Sequence, residues 1–217
     1  LTMTATPTAT GTPTITPTST ASATLSASST PTITPTPTQP PVPVFSSAQF
    51  TYDGDGRRVK SVIATNIDST TTYFVGSHYE VTDGVVTKYY YAGATRIAMR
   101  KNGTLYYLLG DHLGSTSMVT FENGNLLSQT KYKAWGEVRL QSGPSLTEYT
   151  YTGQYSHTAD FGLMYYNARW YDPYLNHMTQ PDTIVPDPYN SQDWDRYSYA
   201  RNNPIRYNDP SGHFTCS

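Results

Sequence analysis

The 217-residue chain has a formal net charge of −2 and contains only 14 Lys and Arg residues. No basic run is longer than the pairs Arg57-Arg58 and Arg100-Lys101, which argues against the dense positive patch of a nucleic-acid-binding protein. No apolar stretch approaches the roughly 20 residues of a membrane-spanning helix. We therefore expect neither a nucleic-acid partner nor a membrane span.

The first 44 residues differ in composition from the rest of the chain. Thr, Ser and Pro fill 30 of these 44 positions, and no Asp, Glu, Lys or Arg occurs before Asp53. Every even position from Thr2 to Thr38 is Thr or Ser, and a period of two residues is typical of an extended strand. We predict a Ser/Thr/Pro-rich extended segment at residues 1–44 and a β-rich domain at residues 45–217.

Two interpretations of the 1–44 segment stay open. It is either a stalk without fixed structure or an ordered strand that pairs with neighbouring copies in a fibre. All prolines before Pro40 stand at odd positions, so only one strand edge lacks donors. Covalent glycans are expected on the hydroxyl groups, and the candidate O-glycosylation residues are Thr2, Thr4, Thr6, Thr8, Thr10, Thr12, Thr14, Thr16, Thr18, Thr20, Thr24, Thr30, Thr32, Thr34, Thr36 and Thr38.

Short strands separated by turn residues follow in the second domain. Asp83-Gly84 and Asn102-Gly103 are strong signals for tight hairpins, which predicts an all-β fold made mainly of antiparallel hairpins in a meander. The predicted strands are Thr71–Val75, His78–Thr82, Val85–Tyr91, Arg96–Arg100, Thr104–Leu109, Ser117–Phe121, Leu126–Tyr132 and Glu137–Leu140.

One short helix is predicted near residues 191–200. Ser191 is a suitable N-cap, Asp193 and Asp195 fall in the first turn, and Asn202-Asn203-Pro204 ends the segment.

The spacing of potential metal ligands indicates no metal or cofactor site. The five His residues show no His-x-x-His or Cys/His pattern. Asp53-Gly54-Asp55-Gly56 is similar to the start of a calcium loop, but Arg57 follows where a ligand is needed. We therefore expect no metal and no cofactor.

The second domain resembles the core of Rhs proteins. Tyr52–Arg58 is similar to the YD repeat of that family, and Tyr107–Thr116 to a motif late in its core domain. The resemblance covers about residues 52–213 and implies a shell rich in β-hairpins, which in the family encloses a C-terminal toxin. Further matching motifs are Tyr132–Gly136, Tyr151–Gln154, Gly162–Pro173, Arg196–Tyr199, Asn202–Pro204 and Asp209–Gly212.

The resemblance also implies a candidate site for self-cleavage. In the family this reaction depends on aspartates near the end of the core, which match Asp182 and Asp209 here. Two nearby carboxyl groups could act as general acid and general base on a peptide bond. Asn176-His177-Met178 stands where the family usually has Gly-Arg-Phe, so we expect the cationic partner of the acids to be missing unless His177 replaces it. The alternative is that both aspartates are ordinary turn residues near Pro.

These observations favour a non-enzymatic structural protein, secreted or on a bacterial cell surface. The leading hypothesis is a filament in which the 1–44 segment links copies of the chain, because roughly fifteen to twenty short strands are too few to enclose a folded cargo. The first alternative is the last shell segment of an Rhs toxin-delivery protein that cleaves itself. The second is a sugar-binding adhesin that uses Trp135, Trp170 and Trp194, although such residues also commonly fill a core.

Overall fold

The structure, a computed structural model, describes residues 44–213. The extended segment and its candidate glycosylation residues lie outside the described residues. The boundary between the two predicted domains, the fibre and the glycans therefore stay predictions.

Ten strands form one antiparallel sheet in which every strand pairs with the next one along the chain. This confirms the predicted all-β meander. The bounds of each of the eight predicted strands differ by at most two residues from those of an observed strand. The first two strands were not predicted. The strands are β1 (Phe45–Tyr52), β2 (Arg58–Thr65), β3 (Ser69–Val75), β4 (Tyr79–Thr82), β5 (Val85–Ala92), β6 (Thr95–Lys101), β7 (Thr104–Gly110), β8 (Thr116–Phe121), β9 (Leu126–Tyr132) and β10 (Val138–Ser142).

Five turns share one backbone geometry. In each, the first residue's N–H donates to the fifth residue's carbonyl, and the fourth residue's N–H donates back to the first residue's carbonyl. The fourth residue is always Gly at positive φ, between 72° and 96°, a conformation that glycine adopts without a steric cost. The turns are Asp53–Arg57, Asp111–Ser115, Phe121–Asn125, Lys133–Glu137 and Thr150–Gln154.

A second antiparallel sheet of four short strands follows the first. It consists of β11 (Tyr155–His157), β12 (Leu163–Tyr166), β13 (Arg169–Asp172) and β14 (His177–Met178). The two residues Asn167 and Ala168 connect β12 to β13, and Asn167 has a φ of 58°. Because this connection is so tight, the first residue of β13 lies directly opposite the last residue of β12.

Tyrosine side chains build the core around the second sheet. Tyr166, Tyr171 and Tyr199 are fully buried and pack ring against ring, with centroids 4.5 to 5.4 Å apart. Their hydroxyl groups find partners inside the protein: Tyr171 donates to the carbonyl of Trp135 at 2.8 Å, and Tyr166 donates to the Tyr199 hydroxyl at 3.2 Å. A tyrosine core is stable here because each phenol keeps a hydrogen bond when it leaves water.

The predicted helix at residues 191–200 is wrong in length and kind. A single 3₁₀ turn covers Ser191–Trp194, and its N-cap is Asn190, whose side chain accepts from the Gln192 N–H. The chain then leaves the helical path because Tyr199 is drawn into the tyrosine core. Across residues 44–213, no helix has the length and apolar character to cross a membrane.

Candidate functional site

Arg169 is the centre of a buried charged cluster. It begins β13, is 5% exposed, and its Nη2 lies 3.0 Å from Asp182 Oδ2 and 3.2 Å from Asp209 Oδ2. Its Nη1 donates to the Arg196 carbonyl at 3.0 Å. One guanidinium group thus pairs with two carboxylates that are themselves only 5% and 3% exposed, which offsets part of the large cost of removing them from water.

Asp182 is held by backbone hydrogen bonds to a neighbouring segment. Its N–H donates to the Arg196 carbonyl at 2.8 Å, and the Arg196 Nε donates to the Asp182 carbonyl at 2.5 Å. Asp182 Oδ1 also accepts from the Ile184 N–H at 3.0 Å. These hydrogen bonds therefore orient the carboxylate independently of its contact with Arg169.

Asp209 organises the turn that ends the described chain. Its Oδ1 accepts from the N–H groups of Gly212 at 2.8 Å and His213 at 3.2 Å. Gly212 has a φ of +79°, and a Cβ there would lie 2.0 Å from the Tyr166 carbonyl oxygen. Only glycine can occupy this position without moving backbone.

The peptide bond between Gly212 and His213 lies between the charged groups. Arg169 Nε donates to the Gly212 carbonyl oxygen, and the His213 N–H donates to Asp209. On the other side, His213 Nδ1 lies 3.1 Å from Asp182 Oδ1. A cation therefore faces the carbonyl oxygen of this bond while a carboxylate faces its nitrogen.

A small cavity of about 30 Å³ lies beside the charged cluster. Arg169, Asp182, Asp209 and His213 are among the residues that line it. Its volume exceeds the roughly 10–15 Å³ that a water molecule needs, and its walls carry several hydrogen-bonding groups. The arrangement has the components of a peptide-hydrolysis site: two carboxyl groups, a cation on the carbonyl oxygen, and room for water.

The structure brings both predicted aspartates together, but the expected absence of a cation is wrong. Arg169 supplies the positive charge. His177 is exposed and lies opposite Asp172 in the backbone register of β13 and β14. Sequence reasoning missed Arg169 because it lies far from both acids along the chain and meets them only through the β12–β13 hairpin. A signal was present, since Arg169 is a charged residue flanked by the apolar residues Ala168 and Trp170.

The three tryptophans do not share one surface. Trp135 packs against the tyrosine core, while Trp170 contacts Phe50 at 5.0 Å between ring centroids. Trp194 is 61% exposed and its indole N–H donates to the Pro188 carbonyl. This distribution offers no joint sugar-binding platform among these three residues. Within residues 44–213, no group of three or more His, Cys, Asp or Glu side chains is arranged to hold a metal ion.

Fold and site together define a class of protein: an antiparallel meander of hairpins followed by a small, tyrosine-rich sheet, as in YD-repeat shells. The chain belongs to the Teneurin YD-shell family, whose sequence pattern matches residues 44–205. This confirms the resemblance to Rhs and YD-repeat proteins. The domain is a structural shell domain.

Curated relatives come from bacteria and animals. The tRNA3(Ser)-specific nuclease WapA of Bacillus spizizenii is 29% identical over 178 residues, which are 77% of this chain and 8% of the relative. Salivary gland surface protein 1 of Aedes aegypti is 32% identical over 130 residues, 58% of this chain and 4% of the relative. Teneurin-3 of Mus musculus is 27% identical over 173 residues, 71% of this chain and 6% of the relative. The chain thus spans less than a tenth of these proteins. One of them is a surface protein by name, which agrees with the expected secreted or cell-surface location.

Solved structures of toxin complexes share the fold. The TcdB2-TccC3-Cdc42 crystal structure matches with a TM-score of 0.66 at 19% identity, over 76% of this chain and 9% of the matched chain. The Tc holotoxin pore of Photorhabdus luminescens matches with a TM-score of 0.63 at 20% identity, over the same 76% and 9%.

Proposed function

We propose that this chain is the terminal segment of an Rhs-type delivery shell and that it cuts its own backbone between Gly212 and His213. The observation that carries the proposal is the position of Arg169, which contacts Asp182, Asp209 and the carbonyl oxygen of Gly212 at once. The relatives support the shell part, since WapA and the Tc complexes are large proteins that contain this fold as a small share of their length.

The proposed reaction is hydrolysis of one peptide bond. The oxygen of a water molecule adds to the Gly212 carbonyl carbon while one carboxylate accepts the water's proton. The C–N bond then breaks, and the carboxyl group that took up this proton gives it to the His213 nitrogen. The products are a Gly212 carboxylate and a His213 amine. Arg169 stabilises the negative charge that develops on the carbonyl oxygen.

The filament hypothesis has weaker support than this alternative. It rests on residues 1–43, which lie outside the described part, and none of the relatives named above is a filament subunit by name. The shell interpretation instead rests on a match to residues 44–205 and on the buried site. We therefore prefer the shell segment to the fibre subunit.

Intact-mass spectrometry of the purified 217-residue chain tests the cleavage. We expect the wild type to lose the His213–Ser217 segment on incubation, and we expect Asp182→Asn and Asp209→Asn to stay whole. Asp187→Asn is the matched control, because Asp187 caps a turn by accepting from the Tyr189 N–H and does not contact Arg169. It should be cut like the wild type.

Near-ultraviolet circular dichroism of each variant separates loss of cleavage from loss of fold. A folded wild type that stays whole would reject self-cleavage, and so would a folded Asp209→Asn chain that is still cut between Gly212 and His213. Neither result would change the shell assignment, which rests on the fold.

A further inference from the structure

A second, much larger cavity shares His213 with the small cavity of the charged cluster but is otherwise lined by different residues. Its volume is about 1160 Å³, and both sheets contribute to its walls. Three arginines line it. Arg57 pairs with Asp55, whereas Arg58, at the start of β2, and Arg96, in β6, form no ion pair with an acid among the described residues. Self-cleavage requires neither of them.

Arg58 is stacked among aromatic rings with no acid beside it. Its guanidinium carbon lies 4.3 Å from the ring centroid of Tyr165, 4.4 Å from that of Tyr155 and 4.5 Å from that of Phe74. Its Nη1 contacts His157 Nε2 at 3.2 Å. Burial lowers the pKa of Arg58. Keeping the guanidinium charged in this wall therefore costs free energy, and a nearby anion would reduce that cost.

Arg96 is also stacked on an aromatic ring, and the pair Tyr149 and Tyr155 lies between it and Arg58. Its guanidinium carbon lies 3.6 Å from the Tyr149 ring centroid, and Tyr149 packs edge-to-face on Tyr155, against which Arg58 stacks. Arg96 Nη1 makes one long hydrogen bond, 3.4 Å, to the Gly153 carbonyl. Its Nε is buried without a hydrogen-bond partner.

Across residues 44–213 neither guanidinium forms an ion pair with an Asp or Glu. The acid that lines the cavity, Asp55, is exposed and already paired with Arg57 at 3.5 Å. Glu80 does not line the cavity. Burial raises the pKa of its carboxyl group, although the positive charges of both arginines act to lower it. Each guanidinium has five N–H donors, most of which remain unused.

We propose that this cavity is a binding site for an acidic peptide segment, whose carboxylates pair with Arg58 and Arg96. A guanidinium fork matches a carboxylate with two parallel hydrogen bonds. The aromatic walls keep both arginines in fixed orientations, so little side-chain entropy is lost on binding. A polypeptide fits the site because the chain's own C-terminal turn already lies in its wall, at Pro210, Ser211 and His213. The proposal does not depend on the cleavage reaction.

Fluorescence anisotropy with labelled hexaglutamate tests the site on the complete chain at low ionic strength, where ion pairing is least screened. Hexaglutamine is the uncharged control peptide. Arg96→Gln is the informative variant, and Arg100→Gln is its matched control, because Arg100 is exposed, donates to the Gly103 carbonyl and does not line the cavity. Both variants change the net charge equally.

We expect hexaglutamate to bind, hexaglutamine not to bind, and Arg96→Gln to weaken binding by about tenfold or more, with Arg100→Gln within about twofold of wild type. An equal loss in both variants would show unspecific charge attraction and overturn the proposal. Binding of inorganic phosphate without binding of hexaglutamate would overturn it too. If Arg96→Gln does not fold, the side-chain Nε–H resonance of Arg96 in wild type provides the second measurement. It should shift with hexaglutamate, and an unchanged resonance at saturation would reject the site.

Discussion

Replacement of Gly212 by Ala tests whether the C-terminal turn is fixed by close backbone packing. The new Cβ would lie 2.0 Å from the Tyr166 carbonyl oxygen and 3.1 Å from the Ala168 nitrogen, at a φ of +79°. The positive φ costs about 1 kcal/mol for an L-residue, and the forced displacement adds about 1–3 kcal/mol. We therefore expect Gly212→Ala to lower the free energy of unfolding by about 2–4 kcal/mol.

Gly124→Ala is the matched control for this substitution. Gly124 has a φ of +85°, but no atom lies within 4 Å of the position that its Cβ would take. It should lose only about 1 kcal/mol. Urea unfolding followed by tryptophan fluorescence measures both, and with a slope of about 2 kcal/mol/M the midpoints should fall by about 1–2 M and about 0.5 M. Equal shifts for the two variants would refute the packing argument at Gly212.

Three further predictions concern the buried polar groups. Arg169→Gln leaves two buried carboxylates without their cation and should cost about 3–5 kcal/mol in urea unfolding; a loss below about 1 kcal/mol would contradict the cluster's role. Tyr171→Phe leaves the Trp135 carbonyl without its donor and should cost about 1 kcal/mol, whereas an unchanged midpoint would mean that the bond contributes nothing. His157 has a pKa below its ordinary value of 6.5, chiefly because it is buried and despite its hydrogen bond to Asp160. As the pH falls through 6.5, the unfolded chain takes up a proton that the folded chain does not, so stability should fall until the folded pKa is reached. Urea midpoints at pH 7.5 and 5.5 should therefore differ more for wild type than for His157→Asn, and equal differences would contradict this.

Much of the large sheet could be predicted from sequence because its signals are local. The strand predicted at Leu126–Tyr132 has the same bounds as the observed strand, since turn residues stand on both sides of it. Asp83-Gly84 and Asn102-Gly103 form the tight turns that their residue types predict, at positive φ throughout. Such turns depend on two residues and need no knowledge of the rest of the chain.

The C-terminal part could not be predicted as well because its order comes from long-range contacts. The strands β11 to β14 have only two to four residues each, too few for a visible period. The helix predicted after Ser191 stops because Tyr199 is buried in a core that forms only in the folded chain. For the same reason the two aspartates could be proposed from their motifs, while their cation could not.

The most direct test of the central claim is the identity of the last residue of this domain in the protein isolated from its native source. Tandem mass spectrometry of the C-terminal peptide reads it without any variant. The account predicts a domain that ends at Gly212 with a free carboxylate. Peptides that read through Gly212-His213 as the dominant species, from a domain that is shown to be folded, would contradict it.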